Sequence, residues 1–168
     1  MLVREGVWGV SDFAPDSTAR HRFPGIGAAS YYGRWAVPAR FTPYAGDRTV
    51  LAPDADGRER GLGLGRGLGL GLGGEPAFVL AGQRLTLQVG VRGEGSLWAV
   101  FADATSGVTS CRFRFPHSGA PDADGRTTVD FDRAVLPPCA CADAFLRPCP
   151  PPGNTYDVAV EAGERNLV

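Results

Sequence analysis

RLTLQVGVR, residues 84–92, places Leu85, Leu87, Val89 and Val91 in alternation with Thr86, Gln88, Gly90 and Arg92. A period of two marks a strand with one buried face, because successive side chains of an extended chain point to opposite sides. Working outward, Gly93-Glu94-Gly95 turns the chain, and residues 97–102 are apolar on both faces, as in a central strand. Cys111, Phe113 and Phe115 alternate with Arg112 and Arg114, giving a third strand. Thr127, Val129 and Phe131 alternate with Thr128, Asp130 and Asp132, giving a fourth, and Tyr156, Val158 and Val160 supply a fifth. Strands at this spacing, parted by Gly, Pro and Asp turns, predict an all-β fold: an antiparallel barrel or sandwich with long Pro/Gly-rich loops.

Composition agrees. The 168 residues include 24 Gly and 14 Pro, which disfavours long helices, and the length suits a single domain over residues 1–168. A net charge of −1 with both signs scattered along the chain supplies no field for phosphate backbones or anionic lipid, so neither nucleic acid nor membrane is expected as a partner. All 17 basic residues are Arg, which removes Schiff-base chemistry and the P-loop lysine. Gly-x-Ser-x-Gly is absent as well, and with it the hydrolase nucleophile elbow. The first residues carry no basic, apolar secretory leader, and no run reaches the length of a membrane span, so a reducing cytoplasmic location is expected for Cys111, Cys139, Cys141 and Cys149. Cys139-x-Cys141 is tighter than zinc-ligand spacing and no His follows it, so no metal and no cofactor is implied.

Residues 2–10 read as one strand, and the abrupt beginning suggests an amino-terminally truncated unit. Four prolines and six aromatics between Ser11 and Pro43 predict an extended, aromatic-anchored segment with Trp35, Val37, Ala39 and Phe41 on one face. PDADGR occurs at residues 53–58 and again at 121–126. Neither copy carries the remaining ligands of a calcium loop, so both are expected to be Asp-Gly hairpin turns. Residues 61–74 alternate Gly and Leu and predict a flexible low-complexity loop; the Gly69-x-Gly71-x-x-Gly74 inside it precedes a strand, not the helix a dinucleotide site needs.

FADATSG, RFRF, DADGRTTVDFDRA, LPPC, PPPGN and AVEAGER, in this order, resemble the bacterial family called domain of unknown function 1684, as do REGVWGVSDFAPDS, RFPGI and RWAVPARFTPY upstream. The resemblance covers most of the chain and implies a mostly β fold with no established activity. It also implies an amino-terminal region that this chain lacks. Where the family has Asp-Phe-Asn-Arg, this chain has Asp130-Phe131-Asp132-Arg133; a family Tyr corresponds to Cys111, and an aromatic to Cys141. The second family Cys falls at Arg147, with Cys149 two residues further on.

Any site would be assembled within residues 97–154. Asp103, Thr105 and Ser106 follow the central strand, either as a side-chain-capped turn or as polar groups at a barrel mouth. Arg114, Asp130 and Arg133 form either a hydrogen-bonded structural network or a pair of guanidinium forks for a carboxylate or phosphate. His21 and His117 lie in turn-rich segments and read as surface residues. The leading expectation is a binding module in which Asp103, Thr105, Arg114, Asp130 and Arg133 receive a small anionic molecule. Two alternatives stand: a hydrolase-like enzyme using Asp103 or Asp130 as general acid or base beside an Arg, and an inactive truncated fragment.

Overall fold

The computed structural model describes residues 2–4, 7–9, 14–48, 50–53, 59–62, 72–141 and 149–168. Strands β1 (Leu2–Arg4) and β2 (Val7–Gly9) pair with each other antiparallel, two short strands in place of the single strand expected over residues 2–10. A single helical turn, α1 (Thr18–His21), begins at Ser17, whose side chain accepts a hydrogen bond from the Arg20 amide. After β3 (Ile26–Ala28) come the long β4 (Ala36–Arg48), the hairpin β5 (Val50–Pro53) and β6 (Glu59–Leu62), and β7 (Leu72–Leu80). Strands β8 (Gln83–Thr86), β9 (Gly90–Val91), β10 (Leu97–Trp98), β11 (Phe115–Ser118), β12 (Arg126–Val135) and β13 (Glu164–Leu167) complete the chain. The all-β expectation is borne out, and every pairing between these strands is antiparallel.

The main sheet has the order β8-β7-β4-β12-β11-β10-β9. Its two outermost members are halves of the stretch 83–91, and that stretch pairs on both sides. The Leu87 and Val89 amides donate to the Pro76 and Gly74 carbonyls of β7 at 3.1 and 3.0 Å, while β9 pairs with β10. The sheet therefore curls until its ends meet along residues 83–91, which is a closed barrel, and closure removes the open edges on which strands aggregate. Gly74 is required at the seam, because a Cβ there would meet the Thr42 carbonyl oxygen and sit 2.5 Å from the Phe41 ring. The ends of the Gly-Leu run thus belong to β6 and β7; residues 63–71 lie outside the described residues.

Facing rows follow from the register. Leu97, Ser118, Val129 and Val37 are partners across β10, β11, β12 and β4, and all four are buried. The neighbouring row, Trp98, His117, Asp130 and Ala36, faces outward. Inside, Phe131 and Phe101 meet edge to face with ring centres 5.0 Å apart, and Phe78 and Tyr156 complete the aromatic core. Trp35, Ala39 and Phe41 pack against that core as expected. The second Asp-Gly turn also forms as expected: Asp122 Oδ1 accepts from the Asp124 and Arg126 amides, and Gly125 takes φ +77°. Residues 54–58 of the first copy lie outside the described residues.

Two expected strands are different objects. The ladder at residues 97–102 stops at Trp98; beyond it Phe101 bridges Arg114, and Ala102 bridges Thr155 in parallel. Residues 154–162 alternate strictly between buried and exposed but form no named strand, running as a strap across the core. Tyr156 ties the strap down by donating to the Thr86 carbonyl at 2.8 Å, and burial pushes its hydroxyl pKa well above the ordinary tyrosine value. At the end of the strap Gly163 has φ +68°, and a Cβ there would lie 2.6 Å from the Ala134 oxygen and 2.8 Å from the Phe131 oxygen. Gly163→Ala is therefore expected to cost about 2 kcal/mol, from left-handed backbone strain and from pushing the strap off β12. A lowered urea midpoint with an unchanged denaturant slope is the expected readout.

Candidate functional site

The five sequence-derived residues fall into two groups on opposite sides of β12. Asp103, Thr105 and Arg114 lie inside. The Arg114 and Asp103 side chains are both 0% exposed, with Nη2 2.5 Å from Asp103 Oδ2. Arg114 Nη2 also donates to the Val160 carbonyl at 2.9 Å, and Nη1 donates to the Ala162 carbonyl at 2.5 Å. The other Asp103 oxygen accepts from both the amide and the hydroxyl of Thr105 at 2.6 Å, and Ser110 Oγ stands 2.8 Å from the same hydroxyl. The guanidinium carbon sits 5.1 Å from the centre of the Phe101 ring. Burial pushes the Arg114 pKa below its ordinary value, and the charge and hydrogen bond of Asp103 work against that shift.

This cluster ties the turn after β10, the approach to β11 and the strap into one unit. Every Asp103 oxygen is engaged within the fold and its side chain has no solvent contact, so a substrate has no route to it as an acid or base. Alternation along residues 111–115 had put Arg114 on the face opposite the phenylalanines. Instead both Phe113 and Arg114 are buried, because the chain joins β11 only at Phe115.

Asp130 and Arg133 lie outside. Phe131 points into the core, so its neighbours Asp130 and Asp132 point the other way. Between Phe115↔Val135 and His117↔Asp130 the register shifts, with three more residues on β12 than on β11. This bulge lets Asp130 Oδ1 accept from the Arg133 amide at 3.2 Å, while its Oδ2 lies 3.4 Å from Arg133 Nε. The Asp130 side chain is 12% exposed and that of Arg133 is 64% exposed, so a covered carboxylate holds a guanidinium whose remaining donors face solvent.

Residues 30–35 reach this bulge. The Tyr32 amide lies 3.5 Å from Asp132 Oδ1. Arg34 stands 5.4 Å from the rings of both Tyr32 and Trp35, and Arg133 stands 6.0 Å from that of Tyr31. Tyr31 and Tyr32 are 58% and 67% exposed. Arg133 thus links the covered Asp130 to Tyr31, while the Tyr32 amide reaches Asp132 and the Tyr32 ring lies beside Arg34. The only early signal was the Tyr-Tyr-Gly-Arg string, rich in large side chains at a turn, and nothing in it names a partner a hundred residues away.

A concavity of about 620 Å³ opens elsewhere, between β4 and the 120–125 turn, lined among others by Arg40, Phe41, Val91, Asp122 and Asp124. None of the five predicted residues lines it. Its carboxylates are already engaged with the Asp124 amide and with Arg126.

Among the described residues no three His, Cys, Asp or Glu side chains gather in a metal-binding group, and no helix is long and apolar enough to cross a membrane. Cys111 is half-buried and Cys141 exposed, neither in a disulfide, and Arg147 lies outside the described residues.

Among curated proteins nothing matches. The solution NMR structure of an uncharacterized protein of Haloarcula marismortui is similar, with a TM-score of 0.65 and 28% sequence identity over 87% of this chain and 78% of that one. The family model for protein of unknown function DUF1684 matches residues 21–165, a span that holds the barrel, the buried Arg114 cluster and the β12 face, and the chain belongs to that family.

Proposed function

We propose that this barrel is a small-molecule binding module, and that its site is the outer face of β12 beneath residues 30–35, where Arg34 and Arg133 receive an anionic ligand. The observation that carries this is the disposition of Arg133: its Nε faces a covered Asp130, and the rest of its fork is open to solvent beside exposed Tyr31. A guanidinium with one edge turned to a carboxylate of the fold and most of its surface in solvent keeps donors for a ligand carboxylate or phosphate. Asp103, Thr105 and Arg114, buried and bonded to one another and to the strap, support the barrel in this reading and take no part in binding.

The test is titration of isotope-labelled protein with small carboxylates and phosphates, followed by amide shifts. Saturable shifts are expected around residues 31–35 and 130–133. Arg133→Ala is expected to weaken binding by about tenfold to a hundredfold, the value of one charge-assisted hydrogen-bonding group. The melting temperature is expected to stay close to that of the parent, since the side chain is mostly exposed. Saturable shifts confined to the 120–125 turn would move the site to the concavity beside β4.

A further inference from the structure

The concavity beside β4 carries opposite charge on its two walls. On the β4 wall Arg40 is exposed and stands directly across from Arg126 of β12. Like charges opposite one another on neighbouring strands repel. Arg126 is relieved by an ion pair with Asp124. Arg40 has no such relief: among the described residues no hydrogen bond or ion pair engages its side chain, and Glu75, diagonal to it on β7, accepts from the Tyr44 hydroxyl at 3.0 Å. On the other wall, the 120–125 turn, Asp122 and Asp124 share the one guanidinium of Arg126, which leaves the turn with one negative charge in excess. Both carboxylates keep an oxygen for a further donor. Asp122 Oδ2 lies 3.9 Å from Arg126 Nη1, and no donor among the described residues reaches Asp124 Oδ1. The Phe41 amide donates to the Gly125 carbonyl at 2.7 Å, so the turn is pinned to β4 and the two walls stay together.

We propose that this concavity binds an α-amino acid with an apolar side chain, at a site separate from the β12 face. The ligand carboxylate lies on the Arg40 fork, and its ammonium donates to the open oxygens of Asp122 and Asp124. Phe41, Pro43, Val91 and Ala120 line the same space, Val91 being 49% exposed, and give the ligand side chain an apolar surface to cover. A volume of about 620 Å³ suits a small molecule. Charge decides the class. A simple carboxylate would satisfy Arg40 but meet the excess negative charge of the turn. A simple amine would satisfy the turn but meet Arg40. A zwitterion answers both walls and brings in no net charge.

Three probes with one branched chain in common separate the walls by amide shifts: L-leucine, 4-methylpentanoate, which lacks the ammonium, and 3-methylbutylamine, which lacks the carboxylate. L-Leucine is expected to give saturable shifts at residues 40–42, 91 and 122–126, and to bind at least about tenfold more tightly than either analogue. Arg40→Gln is expected to weaken L-leucine by about tenfold and leave 3-methylbutylamine no weaker. Asp124→Asn is expected to weaken L-leucine to a similar degree and leave 4-methylpentanoate no weaker, since it also releases Arg126. Loss of structure would weaken every probe alike, so these opposed responses mark recognition. Equal affinity for L-leucine and either analogue would overturn the proposal, because the two walls would then not act together. No saturable shift with L-leucine, or an affinity unchanged in both variants, would also reject it. L-Leucine shifts confined to residues 31–35 and 130–133 would reject this site and support the β12 face, whose own test with carboxylates and phosphates is read at those residues.

Discussion

Asp103→Ala is expected to be among the most destabilising single substitutions in this chain, costing about 3–5 kcal/mol, because it leaves a guanidinium charged and buried with no counter-ion. For a domain whose net stability is on the order of 5–15 kcal/mol, that is enough to populate unfolded protein at moderate temperature. The loss has two physical parts. Arg114 keeps its carbonyl acceptors on Val160 and Ala162 but loses Asp103 Oδ2, and the Thr105 amide and hydroxyl lose their shared acceptor. Asp103→Asn separates these parts. The amide oxygen still accepts from Thr105, so about a third to a half of the cost should return, while the charge stays unbalanced. Arg114→Met with Asp103→Leu removes both charges, and is expected to recover most of the loss if packing around Phe101 is preserved. Urea denaturation of the three variants beside the parent tests this. Equal stability of Asp103→Ala and the double variant would show that the pair is held by packing and not by charge.

That pair shows what a sequence gives away and what it hides. Residues 84–91 were legible because each buried side chain there faces one continuous core, and period two reports a half-buried extended chain directly. The same signal misled at residues 154–162. Tyr156, Val158 and Val160 alternate because the strap lies flat on the core, but alternation says nothing about whether a neighbouring backbone supplies a ladder. Asp103 and Arg114 stood out as charged residues in apolar surroundings, and their partnership spans only eleven positions. Placing them with Asp130 and Arg133 failed for want of one fact, that Phe131 points inward and commits both its neighbours to the other side. Tyr31, Tyr32, Arg34 and Asp132 went unread because exposed aromatics at a turn have no local partner to betray them. The bulge that gathers them is a mismatch between β11 and β12, which neither strand carries alone.

Asn154→Ala should cost about 3 kcal/mol, and it probes the seam where the barrel closes. Asn154 is 0% exposed and its side chain makes three hydrogen bonds to main chain. Oδ1 accepts from the Gln88 amide at 2.8 Å, and Nδ2 donates to the Gln88 and Val100 carbonyls, each at 2.9 Å. Gln88 lies between β8 and β9, where the chain passes from pairing with β7 to pairing with β10, and Val100 lies just past β10, where that ladder has ended. Among the described residues no strand runs alongside at this corner, so one amide side chain supplies the donors and acceptor that a neighbouring backbone would have offered. Alanine leaves one buried N–H and two carbonyls without these partners, at roughly 1–3 kcal/mol each where no water enters. Asn154→Asp is the sharper variant. It keeps the acceptor for Gln88 but brings a carboxylate against two carbonyl oxygens, so it should be at least as destabilising as alanine at neutral pH and recover as the solution is acidified and the carboxyl gains a proton to donate. Amide hydrogen exchange places the effect: protection should fall first at Leu87 and Val89, whose bonds to β7 close the barrel. If those two amides stay as protected as in the parent while global stability falls, the seam does not depend on Asn154 and the closure rests on the β7 pairing alone.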